Sequence, residues 1–517
     1  MYHSAFQTFS RKELFMTTTA DTEKQFMGHP RGLSTLFFTE LWERFSYYGM
    51  RALLVLFMTA ETMTLTGEPS PNPGLGFDIG KATAIYGLYT FFVYVLSLPG
   101  GWVADQLWGQ RKAVMVGGII IAAGHFSMAV PTTTFFYIGL ALIVIGTGLL
   151  KPNVSSMVGD LYPEGGAERD AGFSIFYMGI NLGAILGPLL CGIIGENYNW
   201  HWGFSLAGFG MVLGLISYKY GYKFLGTAGD LKTDDSPEIL KKRGRNFYTT
   251  LSAVAAGIVL FIFMMTSGLI NISLQELAGS LGVIAVTITI AFFAYIIFLG
   301  GHTTEEKKKL GVIFWLFILA ALFWSGFEQA GSSLNLFAKD LTNRVILGTE
   351  VPASTLQLIN PIFIVIFAPI FGWMWTWLAH RQKNPSIPVK FGLGLFGLAA
   401  GFFVLSWGAA NATIENPVSP SWLIVTYFLH TCGELCLSPV GLSSMTKLAP
   451  KSRVSQMMGI WFVAAAVGNL FAGLMAGQLE TLLPTDLFWS VAMIVGGGGI
   501  VAMLAAPPIQ KLMGNVK

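Results

Sequence analysis

Residues 39–51 read TELWERFSYYGMR, and the apolar run ALLVLFM follows them directly. Two glutamates and two arginines therefore stand at the edge of a stretch that otherwise suits lipid. On a helix, residues three and four apart share a face. Glu40, Glu43, Arg44, Tyr47, Tyr48 and Arg51 follow spacings of three, four and seven, so they form one polar stripe. A charge at mid-membrane costs at least about 2.5–3.5 kcal/mol on insertion scales. Four of them on one face require countercharges and a water-filled cavity. The plainer alternative is a helix that starts after residue 51, with the stripe at the interface. The upstream segment LSTLFF supplies apolar length that argues for a span including the stripe.

Few other charges lie inside apolar segments, which makes them candidate partners. Lys151 stands in GTGLLKPNVSS, Glu328 in FWSGFEQAGSSL and Glu434 in HTCGELCLSPVGLS. Each could be a structural ion pair that sets helix register. As a set they predict a cavity carrying both signs of charge, which suits a solute with a carboxylate at one end and an ammonium at the other. Carboxylates beside cations in such a cavity can also carry protons. Burial favours the neutral acid and a neighbouring cation favours the anion, so conformation can tip the balance. Asn181 (YMGINLGAILG) and Asn360 (QLINPIFI) could hydrogen-bond a peptide unit or, equally, a neighbouring helix. Tyr86, Trp324 and Trp461 lie in helix interiors, where packing is the simpler role. Pro361 and Pro439 predict kinks. Asp105, Arg111 and Lys112 read as charges of a conformational lock in a loop, away from any solute.

The elements that must hold these residues are membrane helices. The 517-residue chain is 53% hydrophobic and 11% charged, against about 25% charged residues in an average soluble domain. Its 61 glycines and 41 phenylalanines suit helices packed closely in a bilayer. A span needs about 20 apolar residues. About fourteen are predicted, near 33–60, 79–105, 112–131, 134–159, 169–195, 203–226, 246–267, 279–300, 309–339, 353–379, 388–410, 420–447, 454–480 and 485–509. Lys and Arg collect in alternate loops: 110–112, 218–245, 305–309, 380–383 and 447–453. The loops 61–78, 195–202 and 411–421 are nearly free of them. This places both termini in the cytoplasm, although Lys339 and Arg344 sit in a loop on the opposite side. GGWVADQLWGQRK (100–112) has a faint echo in GWMWTWLAHRQK (372–383), each joining the second and third helix of its half. The expected organisation is a cytoplasmic tail (1–30) without the apolar core of a signal peptide, a six-helix bundle (31–228), a linker with a two-helix hairpin (229–308) and a second six-helix bundle (309–517). Cys191, Cys432 and Cys436 make neither a metal site nor a disulfide framework. The basic residues show no groove for nucleic acid.

The segment from Glu40 to Gly49 resembles the ExxERFxYYG signature of the proton-coupled oligopeptide transporters, the POT or PTR family of the major facilitator superfamily. GGWVADQLWG (100–109) and FSIFYMGINLGAI (173–185) are similar to two further signatures of that family, and KPNVS, FEQAGSSL, QLINPIF and GELCLSPVGLS to other segments of it. The resemblance runs from about residue 30 to 510. It implies an all-α polytopic membrane protein of the major facilitator fold, with two six-helix bundles and two extra central helices. It implies a bacterial inner-membrane symporter, not an enzyme, importing di- and tripeptides with protons, without a cofactor, as a monomer. Glu40, Glu43, Arg44, Lys151 and Glu328 would couple protons. Arg51, Tyr47, Tyr48, Tyr86, Lys151, Asn181, Trp324, Asn360, Glu434, Ser438 and Trp461 would line the peptide site. Arg51 with Glu328, Lys151 with Glu434, and Asp105 with Arg111 would act in gating. A transporter of another small anion such as nitrate, or of a peptide-like drug, is an alternative on the same fold. A membrane enzyme or sensor is the alternative from another class; no nucleophile triad, metal motif or appended soluble domain speaks for it.

Overall fold

The computed structural model describes residues 26–514, apart from 65, 163–165, 232, 234, 347 and 451–453. Most of the tail, and Lys451 and Arg453 of the last basic loop, lie outside the described residues. The first half contains α1 (Gly32–Thr59), α2 (Ile79–Val95), α3 (Ser97–Val103), α4 (Gln110–Met128), α5 (Thr133–Asp160), α6 (Gly166–Asn197) and α7 (Trp200–Gly221). α8 (Pro237–Thr266) and α9 (Leu274–Ala294) follow. The second half contains α10 (Thr304–Phe327), α11 (Ser333–Asp340), α12 (Ile359–His380), α13 (Ile387–Ala409), α14 (Ser421–Leu448), α15 (Val454–Ala476) and α16 (Pro484–Met513). α2 with α3 forms one broken span, as does α10 with α11, which gives fourteen spans among the described residues. Eleven are apolar enough to qualify as membrane-crossing by composition. α1 is not among them, because its four charges offset its leucines.

Side chains in the connecting loops fix where several helices start. The Asp78 carboxylate accepts from Lys81 N at 2.6 Å, Thr132 from Phe135 N, and Asn199 from the first turn of α7. Ser273 with Glu276 and Thr303 with Glu306 form reciprocal caps on α9 and α10. Such caps satisfy amides that the helix itself leaves free.

Glycines bring the helices close. Gly179, Gly183 and Gly187 recur every fourth residue on α6. A Cβ at Gly183 would meet Leu41 O and Phe45 N of α1, and one at Gly187 would meet Phe45 O and Gly49 N. This is the small-residue seam by which membrane helices pack when lipid removes the hydrophobic drive between them. α1, which carries the charged stripe, is thereby held flush against α6, which carries Asn181. A second glycine pair, Gly87 on α2 and Gly473 on α15, joins the two halves.

Three details depart from expectation. Pro361 does not kink a helix interior: it occupies the first turn of α12, just after a 3₁₀ turn (Ala353–Leu358), where little helical hydrogen bonding is lost. Pro439 lies inside α14 as expected. The span predicted at 309–339 is interrupted by a 3₁₀ turn at Glu328–Gly331, so Glu328 sits at a break in the helix. The loop after α11 forms a small hairpin, Val345–Ile346 paired with Thr349–Glu350, with Gly348 at φ +81°. α9 rests on both halves, where Ala278 packs with Phe91 of α2 and with Ala466 and Leu470 of α15. α8 is almost wholly exposed outside the bundle.

Candidate functional site

The stripe on α1 is buried: Glu40, Glu43 and Arg44 are each 3% exposed or less. Arg44 lies between the two carboxylates, with Nε 2.9 Å from Glu40 Oε1 and 2.5 Å from Glu43 Oε2. One guanidinium thus serves two carboxylates. Glu40 Oε2 and Glu43 Oε1 have no hydrogen-bond donor among the described residues, so each presents an oxygen that can take up a proton. The Arg44 guanidinium also sits 5.3 Å from the Tyr47 ring centre. Tyr47 contacts Tyr48 edge to face and lies nearly parallel to Tyr89 of α2.

Two turns further on, Arg51 joins the halves. Its Nη2 is 2.5 Å from Glu328 Oε2 and its Nε donates to Tyr86 Oη at 2.7 Å. The Tyr86 hydroxyl donates onward to Glu328 O at 3.4 Å. The break at Glu328–Gly331 explains the geometry. A 3₁₀ turn swings the carboxylate toward the first half, and Gly331 gives room for the Tyr86 ring, which a Cβ there would strike.

On the facing wall, Asn360 Nδ2 donates to Thr431 Oγ1 at 2.9 Å and to Glu434 Oε2 at 3.3 Å. α12 and α14 are thereby tied together. Lys151 does not lie in an ion pair among the described residues. Its Nζ rests 3.9 Å above the Tyr94 ring centre, within electrostatic reach of Glu40 and Glu43. Asn181 is buried and donates to Tyr177 O of its own helix.

The remaining expected residues are dispersed around this centre. The Trp324 ring packs edge-on to Phe323 and Phe327, and its buried Nε1 has no acceptor among the described residues. Ser438 Oγ is likewise buried without a partner there. Trp461 packs against Phe391 and Gly441. Arg111 and Asp105 do not meet. Arg111 pairs with Asp230 at 3.2 Å and donates to Ala228 O and Gly226 O, while Asp105 is exposed.

Tyr89, Tyr94, Tyr177 and Thr431 were not singled out from the sequence. Tyr94 is eight residues, about two turns, after Tyr86, so the α2 face could have been extended to it. Thr431 is three residues, just under one turn, before Glu434, a spacing that also puts the two on one face.

Buried charges of both signs on helices of two halves, with the Arg51–Glu328 ion pair joining those halves, suit a secondary membrane transporter. The chain belongs to the POT family: the model of that family (PTR2) matches residues 111–485. It is similar to the peptide transporter YePEPT of Yersinia enterocolitica, at 40% identity covering 97% of this chain and 99% of that one. It is also similar to a di-/tripeptide transporter of Lactococcus lactis, at 37% identity covering 96% and 99%. Among solved structures it superposes on the peptide transporter POT in complex with sulfate, with a TM-score of 0.86, 39% identity and 95% and 97% of the two chains covered. The fold is that of the major facilitator transporters, and the protein is an integral membrane transporter.

Proposed function

We propose that the protein imports di- and tripeptides together with protons, by alternating access of its two halves. The observation that carries this reading is the inventory of charges held inside the helical spans. Three cations (Arg44, Arg51, Lys151) face four carboxylates (Glu40, Glu43, Glu328, Glu434), a sum of 3 − 4 = −1. One bound proton neutralises the set, and a zwitterionic peptide adds no net charge. Neutralisation lets ion pairs exchange partners without stranding a charge in a low-dielectric space.

In this reading Glu40, Glu43 and Arg44 take up the proton, with Lys151 as their counterion across the cavity. Lys151 and Arg51 attract the peptide carboxylate, and Tyr47, Tyr48 and Tyr86 line the path to it. Glu434, Asn181 and Asn360 hold the amino end and first peptide unit, and Trp324, Ser438 and Trp461 bound the side-chain space. Arg51 with Glu328 closes the outer side, Lys151 with Glu434 the inner. Asp105 and Arg111 tune the loop that links α3 to α4. Both termini are cytoplasmic, the membrane is the bacterial inner membrane, and the working unit is a monomer. An outward-closed state fits the contacts of Arg51 with Glu328 and of Asn335 Nδ2 with Ala52 O at 2.8 Å, which join the C-terminal part of α1 to the break between α10 and α11 and to α11.

The grip on both termini limits length, since an extended chain spans about 3.3–3.6 Å per residue. Purified protein in liposomes tests the proposal. Labelled dialanine should accumulate only with an inward proton gradient, and di- and trialanine should compete far better than tetra-alanine. Absence of gradient-driven accumulation by folded, inserted protein would overturn it and direct a screen toward small anions such as nitrate.

A further inference from the structure

The C-terminal end of α6 carries a carboxylate that the charge inventory above does not use. Glu196 belongs to the first half, yet the three donors to its carboxylate among the described residues all belong to the second. Its Oε2 accepts from Ala353 N at 2.8 Å, its Oε1 from Ser354 N at 2.9 Å, and Ser354 Oγ donates to the same Oε1. These donors open the 3₁₀ turn Ala353–Leu358, which runs without interruption into α12 and hence to Asn360. An anion at the start of a helical turn meets amides that have no internal partner and a favourable dipole.

On the first half the end of α6 is itself held by hydrogen bonds. Asn72 Nδ2 donates to Gly195 O at 2.8 Å and to Glu196 O at 3.2 Å, and Asn72 is itself held by Trp200 N and Trp200 Nε1. The approach is close, because a Cβ added at Gly192 would strike Ser354 Oγ. No Lys or Arg pairs with Glu196 among the described residues.

We infer that Glu196 is a second latch on the outer side of the transporter, separate from Arg51–Glu328, and a positioning residue for the α12 segment that presents Asn360. The inference rests on the alternating-access reading. The two latches differ in kind. Arg51 and Glu328 can separate by side-chain rotation and take new partners. Two of the donors to Glu196 are main-chain amides: the Glu196 side chain can rotate, but the donors themselves leave only when the 353–358 turn moves as a body. Glu196 therefore reads the separation of the halves themselves, and it fixes where Asn360 stands while they are closed.

The test uses spin labels in a cysteine-free, transport-competent background of the full chain. One pair, at Glu61 and Leu482, spans the halves at the outer end. A control pair, at Glu61 and Tyr198, lies within the first half. Distances are measured in nanodiscs without peptide or gradient. Glu196→Ala should raise the outer-open population at least about tenfold, with the control distance unchanged. Ser354→Ala should do so to a smaller degree, and Glu196→Gln, which keeps an acceptor oxygen, should fall nearest the wild type. A wild-type cross-half distance in Glu196→Ala would overturn the latch, as would an equal change in the control pair, which marks a merely local structural role. Because the distances need no substrate, failure of the peptide-symport proposal would show separately, as absent uptake by the wild type.

Discussion

Replacing Glu328 with Gln is the sharpest test of the gate. The Glu328 and Arg51 side chains are 6% and 10% exposed and 2.5 Å apart, so water screens their attraction little. Removing one member of a buried pair outright costs about 3–5 kcal/mol, because the other charge is left buried. Glutamine keeps a carbonyl oxygen for the guanidinium, and Tyr86 Oη still accepts from Arg51 Nε. The hydrogen bond can then persist while the countercharge is lost, so the loss falls below that of outright removal, at about 1.5–3 kcal/mol. Taken from the outer-closed state, this shifts the closed-to-open ratio roughly 10- to 150-fold. The shift reads directly as a longer cross-half distance between labels at Glu61 and Leu482, and as reduced gradient-driven dialanine uptake. Tyr86→Phe removes the acceptor of the charge-assisted bond from Arg51 Nε and the weaker bond to Glu328 O, at least about 1.5 kcal/mol, and should shift the ratio at least about tenfold in the same direction. If Glu328→Gln kept both the wild-type distance and the wild-type uptake, the ion pair would be a static strut, and the gating argument would fail.

Other perturbations probe separate parts of the site. Glu43→Gln should retain peptide exchange across liposomes yet lose uphill accumulation; accumulation at wild-type level would remove Glu43 from proton coupling. Lys151→Ala should weaken dialanine binding at least about tenfold in calorimetry, through loss of a charge-assisted contact, whereas unchanged affinity would place the peptide carboxylate elsewhere. Gly183→Val forces a branched side chain against the α1 backbone, and overpacking of this kind costs about 1–3 kcal/mol. A clear drop in the thermal midpoint in detergent is expected, and an unchanged midpoint would mean α1 and α6 are not as tightly seated as Gly183 indicates.

Much of the architecture was legible in the chain because lipid imposes simple rules. Backbone groups in a bilayer must be satisfied within the segment, so a long apolar run dictates a helix, and the fourteen spans follow. Charge in lipid is costly, so the few ions inside those runs must be buried with partners, and a period of 3.6 residues puts Glu40, Glu43, Arg44 and Arg51 on one face before any fold is known. The positions of Pro361 and Glu328 were misjudged for a common reason. Local 3₁₀ turns at 353–358 and 328–331 depend on contacts from the other half, and periodicity does not register them.

The one-dimensional pattern therefore determined which charged groups lie inside the spans and along which helices they run. Tertiary structure decided which of them meet. Arg51 and Glu328 are 277 positions apart, and Glu196 and Ala353 are 157 apart; neither pairing follows from spacing on a helix. Lys151, free to choose among several carboxylates by charge alone, instead lies over Tyr94. A helix pattern encodes direction around its own axis. The angle and depth at which two such helices cross are set by their packed surfaces, here by glycines such as Gly183, Gly87 and Gly473, and those contacts select one partner among several that charge would allow.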